Sequence, residues 1–324
     1  MDYCNGPFDV DALKGISLDA LSQSLGVRIF EMKPEAVTTG GSHSRIYTCK
    51  SEIGDLILRI SKGQQGFYTH YFPDMVDPDA WVNQEWAINK ARSVGIPAPE
   101  IVCSDRKRRW TLMRRLPGIA IDAEYESWDR CPYDEKHFGT LLSLLHSIQP
   151  SGFGPIDDYG KALFPTWQEF LVRAAESALT VSSARAALPS ALAEQLEKYW
   201  LPKLQRIDLE KPSLLHMESL GFANILYEPK TRTITGLLDY EDCIGGDPLF
   251  EICWMEYYFE HDSQDQPYFD FRRFAAGYGS IEHDVERVTL YSPFPLLDKL
   301  RWIEPESSRV KGYICRLEEF IKQC

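Results

Sequence analysis

What this 324-residue chain lacks narrows it first. Its eight cysteines include no Cys-x-x-Cys pair and none at metal-ligand spacing from a histidine, so free thiols are expected, not a disulfide framework or a zinc site. No apolar run approaches the roughly eighteen residues that a membrane span needs. The start, MDYCNGPFDVDALKG, has early acidic residues and no apolar core of a signal peptide. A basic excess is missing too: 35 Lys and Arg against 48 Asp and Glu leave a net charge of −13, which argues against a nucleic-acid ligand. Internal repeats, low-complexity tracts and long linkers are absent as well. The expectation is a soluble cytoplasmic protein with no membrane or nucleic-acid partner, its oligomeric state left open.

A chain this long exceeds one ordinary core, so two lobes are expected. From Ile29 to about Met113 the signal is strand-rich, with RIYTCK, DLILRIS and WTLMRRL. Between these runs, Asp79 to Val94 places Trp81, Trp86, Ala87, Lys90 and Val94 at helical spacing and stops at Gly95. After LMRRLPG the texture turns helical. Tyr133 to Ile148 puts Phe138, Leu141, Leu142, Leu145 and Ile148 on one face, and Trp167 to Ala178 and Leu188 to Leu204 read as helices too. ANILYE and TITGLLDY interrupt this pattern; PKTR between them makes a hairpin. The expected class is α+β and bilobal, a small antiparallel-sheet lobe over 1–116 and a larger, mainly helical lobe over 117–324.

Several residues carry chemistry in this arrangement. Phosphoryl transfer needs backbone amides or cations on phosphate, metal ligands to neutralise charge, and a group near the nucleophile. TTGGSHSRIYTCK sets Ser42 and Ser44 in a glycine-containing turn whose amides can approach phosphate. Arg59 sits mid-strand in LILRIS, opposite in direction to Leu58 and Ile60, and projects into a cleft. Glu85, in the middle of the 79–94 helix, is placed to pair with it. LMRRLPG, with Arg114 and Leu116, is the connector whose backbone can meet an adenine edge. Asn224 precedes one hairpin strand and Asp239 ends the other, so both oxygens reach one cleft edge and suit magnesium. The run DYEDCIGGDP adds Glu241 and Asp242 toward a substrate, and Asp247 before Pro248 reads as a structural helix cap. Trp254, Tyr257 and Tyr258 are candidates to line an acceptor pocket.

Taken together, LILRIS, VGIPAPEIV, LMRRLPG, GFGP followed by FPTWQEFL, and LLH…NILYE…ITGLLDYEDCIGGDP resemble the aminoglycoside phosphotransferase family, most closely its hygromycin phosphotransferase branch. The likeness runs from about Glu35 to Gly279. It implies a protein-kinase-like fold, ATP or GTP with Mg2+, and transfer of the γ-phosphoryl to a hydroxyl of a small molecule. It also implies that Asn224 and Asp239 are the metal ligands, and that Arg59 stands where the family has a lysine, as in the hygromycin branch. The family's catalytic loop reads His-x-Asp, four residues, Asn; here His216-Met217-Glu218 is followed by five residues before Asn224. Counting forward puts Glu218 at the catalytic position and counting back puts Ser219 there, with His216 holding the loop by hydrogen bonds. A kinase-like fold that has lost phosphoryl transfer, acting as a ligand-binding protein or a biosynthetic enzyme of other chemistry, stays open as the alternative.

Overall fold

The computed structural model describes residues 16–34, 44–61, 72, 84–120, 131–184, 187–217, 224–261, 269–279 and 284–323. The first described helix, α1 (Leu18–Leu25), is capped by Ser17, whose Oγ accepts from the Ala20 amide at 3.1 Å. It leads into a five-stranded antiparallel sheet of β1 (Ile29–Pro34), β2 (Ser44–Ser51), β3 (Gly54–Ser61), β4 (Ile101–Asp105) and β5 (Trp110–Arg114), in the order β1-β2-β3-β5-β4. Period-two burial decides its faces: Leu56, Leu58 and Ile60 are buried, and the residues between them are half-buried. Those side chains share one core with Tyr47, Trp110, Leu112 and Leu21 of α1.

The helix α2 (Glu85–Ser93) lies between β3 and β4. Glu85 therefore opens the described helix and is not at its middle; of the segment before it, Gln84 and Phe72 are described. Phe72 is buried and packs its ring near Phe164 and Phe170. The buried face of α2, Ala87, Ile88 and Ala91, belongs to a second core that it shares with α3 (Glu135–His146). Past the connector, β6 (Ile119–Ala120) adds to a hairpin of β10 (Ile225–Tyr227) and β11 (Ile234–Leu237), which closes the same core with Ile225, Tyr227, Ile234 and Leu237. Arg232 at the hairpin turn adopts a left-handed φ of 60° and donates to the carbonyls of Cys131, Pro132 and Tyr133 at 2.7 to 3.2 Å. The hairpin is thereby fastened to the start of α3.

A second small sheet, β7 (Phe153–Ile156), β8 (Ala162–Phe164), β9 (Ser213–Leu215) and β12 (Ile244–Gly246), runs in the order β8-β7-β12-β9 and has no counterpart among the expected elements. Its strands are too short to show a period, and it packs through glycine: a Cβ on Gly246 would meet the Trp167 ring at 2.7 Å. Around it, α4 (Trp167–Ala184), α5 (Ser190–Tyr199), α6 (Leu201–Leu204), α7 (Pro248–His261), α8 (Phe271–Tyr278), α9 (Val285–Tyr291), α10 (Pro293–Trp302) and α11 (Ser308–Gln323) complete the helical part. The single helix expected over Leu188 to Leu204 is two, because Pro202 falls in the first turn of α6 and cannot continue an earlier hydrogen-bond ladder. Trp167, Phe170, Trp200, Phe250, Tyr291 and Phe294 form the centre of the third core. The bilobal α+β architecture is thus as the sequence pattern predicts. The six described cysteines are free thiols, and no described helix is long and apolar enough to cross a membrane.

Candidate active site

Arg59 leaves the sheet at β3 and reaches the segment that follows β11. Its Nη2 lies 3.5 Å from Asp239 Oδ1 and pairs closely with Glu241 Oε1. Burial opposes the charge on this guanidinium, but Glu241 first, then Asp239 and Asp242, outweigh it and hold its pKa above the ordinary arginine value. For Glu241 burial is the leading influence and pushes the carboxyl upward; Asp239 and Asp242 add to the rise and Arg59 opposes it. One cation from the small lobe therefore faces three carboxylates from the large one.

Asp239 adopts φ 64°, a left-handed conformation that a non-glycine residue holds only when its surroundings impose it. The imposing contacts are backbone N–H groups on both sides of it. Leu237 N donates to Pro97 O, Leu238 N to Asn224 O, and Tyr240 N to the side chain Oε1 of Gln84, each at 2.8 Å. The middle bond sets Asn224 against Leu238, the residue before Asp239, so the two predicted metal ligands lie on neighbouring backbone segments.

The loop that follows β9 is held from below. Glu251 on α7 has no exposure, and its carboxylate accepts from His216 N at 3.0 Å, Met217 N at 3.2 Å and His146 Nε2 at 3.0 Å. Burial alone pushes this carboxyl up, but the hydrogen bond and charge of His146 and the His216 amide prevail and hold it below the usual glutamate range. His146 Nδ1 in turn lies 2.6 Å from the Tyr278 hydroxyl. Met217 takes φ 60°, and the His216 ring, itself fully buried, stacks edge-on against Tyr240 with centroids 4.5 Å apart. Glu251 went unnoticed in the sequence, although a glutamate between Phe250 and Ile252 on an apolar helix is the same kind of signal that marked Asp239. Asp247 is structural as expected: it caps α7 at the Leu249 amide and accepts from Arg287 and Tyr291.

The remaining candidates fall in several places. Ser42, Glu218 and Ser219 lie outside the described residues. Ser44 is not in a turn; it is the first residue of β2, buried and paired with Ser61. Arg114 directs its side chain to Ile53 O at 2.7 Å and to Glu100 at 3.2 Å. Leu116 packs on Gly236 of β11, and the connector spends Arg115 N on Asp55 O and Pro117 O on the Thr235 hydroxyl. Trp254 is partly buried between the second and third cores. Tyr257 is 6% exposed and sits in the core beside Tyr313, under the Arg316 guanidinium. Tyr258 is on α7 with its side chain outside the described set.

Comparison with known proteins identifies the family and the fold. The model of the phosphotransferase enzyme family, APH, matches residues 36–286. Among solved structures, aminoglycoside phosphotransferase APH(4)-Ia, as a thermostable mutant in ternary complex with AMP-PNP and hygromycin B, superposes with a TM-score of 0.61 at 18% identity, covering 93% of this chain and 96% of that one. The gentamicin complex of APH(2")-IIa gives 0.58 at 16% identity, covering 99% and 98%. Macrolide 2'-phosphotransferase MphH from Brachybacterium faecium gives 0.56 at 18% identity, covering 93% and 97%. A search of curated proteins finds no match.

Proposed function

Because this chain belongs to the phosphotransferase enzyme family, we propose that it moves the γ-phosphoryl of ATP or GTP to a hydroxyl of a small molecule, at the cleft edge where Arg59 meets Asp239. The observation that carries this reading is the approach of the Arg59 guanidinium to Asp239, a cation from one lobe beside a metal-type ligand from the other. An amide oxygen from Asn224 and a carboxylate from Asp239, on backbone segments bonded at Leu238, suit magnesium, which takes few protein oxygens and fills its shell with phosphate oxygens and water. When bound, the ion supplies charge neutralisation on the phosphates. Arg59 contributes a permanent, planar cation on the same group. Glu251 fixes the loop leading to Glu218 and Ser219, one of which meets the acceptor hydroxyl.

The test is nucleoside diphosphate release from ATP or GTP with magnesium, across a panel of polyhydroxylated acceptors that includes aminoglycosides and macrolides. Acceptor-dependent release is expected. Arg59→Met is expected to raise the nucleotide KM about tenfold or more, because a charge-assisted contact of about 1.5–3 kcal/mol is lost and the three acidic side chains it faces stand unscreened before the phosphates. An unchanged nucleotide KM in that variant would remove Arg59 from the site.

A further inference from the structure

Gln84 precedes α2, at the position where a polar side chain normally caps a helix, yet it makes no cap bond. Three unfavourable features meet in it. Its backbone is left-handed with φ 62°, it is 5% exposed, and its Nε2 is buried with no hydrogen-bond partner among the described residues. What its side chain gains among the described residues is one bond, from the Tyr240 amide to its Oε1 at 2.8 Å. Tyr240 directly follows Asp239, and the peptide between them leaves a residue that is itself left-handed.

The other end of α2 makes a matching contact. Pro97, just past the helix, accepts from the Leu237 amide. The helix unit therefore grips the four residues 237–240 at both ends, with Asp239 between the two bonds. Without the Gln84 bond, the Tyr240 peptide is free to turn, Asp239 relaxes toward an ordinary φ, and its carboxylate leaves the position it holds near Arg59. We propose that Gln84 is a positioning residue for Asp239, coupling the start of α2 to the metal-binding carboxylate. The proposal rests on the phosphotransfer reading given above. Its two costs in the free protein, strain and an unsatisfied amide, are of the kind that persists where geometry matters more than stability.

The experiment compares wild type with Gln84→Leu, which keeps the bulk and removes the acceptor, and Gln84→Gly, which also relieves the left-handed strain and so keeps the test open should the leucine variant not fold. Nucleotide affinity is measured by calorimetry with and without magnesium, and exchange of the Tyr240 amide is followed by NMR. Both variants are expected to lose about tenfold or more of the magnesium-dependent affinity, the usual range for an outer contact to a metal ligand, while metal-free nucleotide binding is unchanged and Tyr240 exchanges faster. A merely structural role would lower both affinities together. Equal magnesium dependence in wild type and in a folded variant, or equal loss with and without magnesium, would overturn the proposal alone. No magnesium-dependent binding by wild type would overturn the phosphotransfer reading and the proposal with it.

Discussion

Glu251→Gln is expected to lower the stability of the fold by about 3 kcal/mol and to loosen the loop at His216 and Met217. The carboxylate sits fully buried and accepts from three donors: two loop amides and His146 Nε2. A glutamine has one acceptor oxygen and presents an NH2 to at least one of those donors, so a bond is lost and two donors face each other in a dry site. Met217, at φ 60°, then loses a contact that holds it there. The pH dependence has a definite sign. Because the folded protein holds the Glu251 carboxyl below its ordinary value, the stability it contributes is complete above the usual glutamate range and is lost as pH falls through the depressed folded value. Urea unfolding of wild type and variant should therefore show a gap at neutral pH that closes on acidification. A gap that stays constant would contradict the account of Glu251 as an ionised loop anchor.

Gly277→Ala is expected to be about as damaging, at 3 kcal/mol or more, although it adds a single methyl group. α3 and α8 cross with a glycine on each: a Cβ on Gly277 would lie 2.7 Å from the Lys136 carbonyl carbon, and one on Gly139 would lie 2.8 Å from Tyr278 N. Backbone stands in both places, so no flexible side chain can give way. Separating the helices also moves Tyr278, the neighbour of Gly277, away from His146, and His146 is what steadies Glu251. Loss of stability with intact loop order in a rescued, low-temperature sample would break that link; loss of both, read by amide exchange at His216 and Met217, supports it.

The lobes were legible in the sequence because β3 and most of β2 keep a period of two and α3 keeps a helical face over several turns. The second sheet was not, since β9 and β12 are three residues each and β12 is mostly glycine, chosen for close approach to Trp167 and Gly152. Asn224 and Asp239 could be picked out as candidate oxygen ligands because of their places at the hairpin ends. Gln84 could not be, because nothing local announces it: its partner lies 156 residues away, and its side chain does not make the cap bond that its position suggests. Glu85 was read at mid-helix because the pattern of Trp81 and Trp86 extends the helical period upstream, whereas the described α2 opens at Glu85 after a left-handed residue.

The most direct test of the central claim is calorimetric titration of the purified protein with ATP and with GTP, with and without magnesium, repeated on Asp239→Ala. The account predicts nucleotide binding that magnesium strengthens in wild type, and loss of that strengthening in the variant while it remains folded. Binding that ignores magnesium in both proteins, or no nucleotide binding by wild type at all, would contradict it and would mean that the kinase-like architecture serves another chemistry.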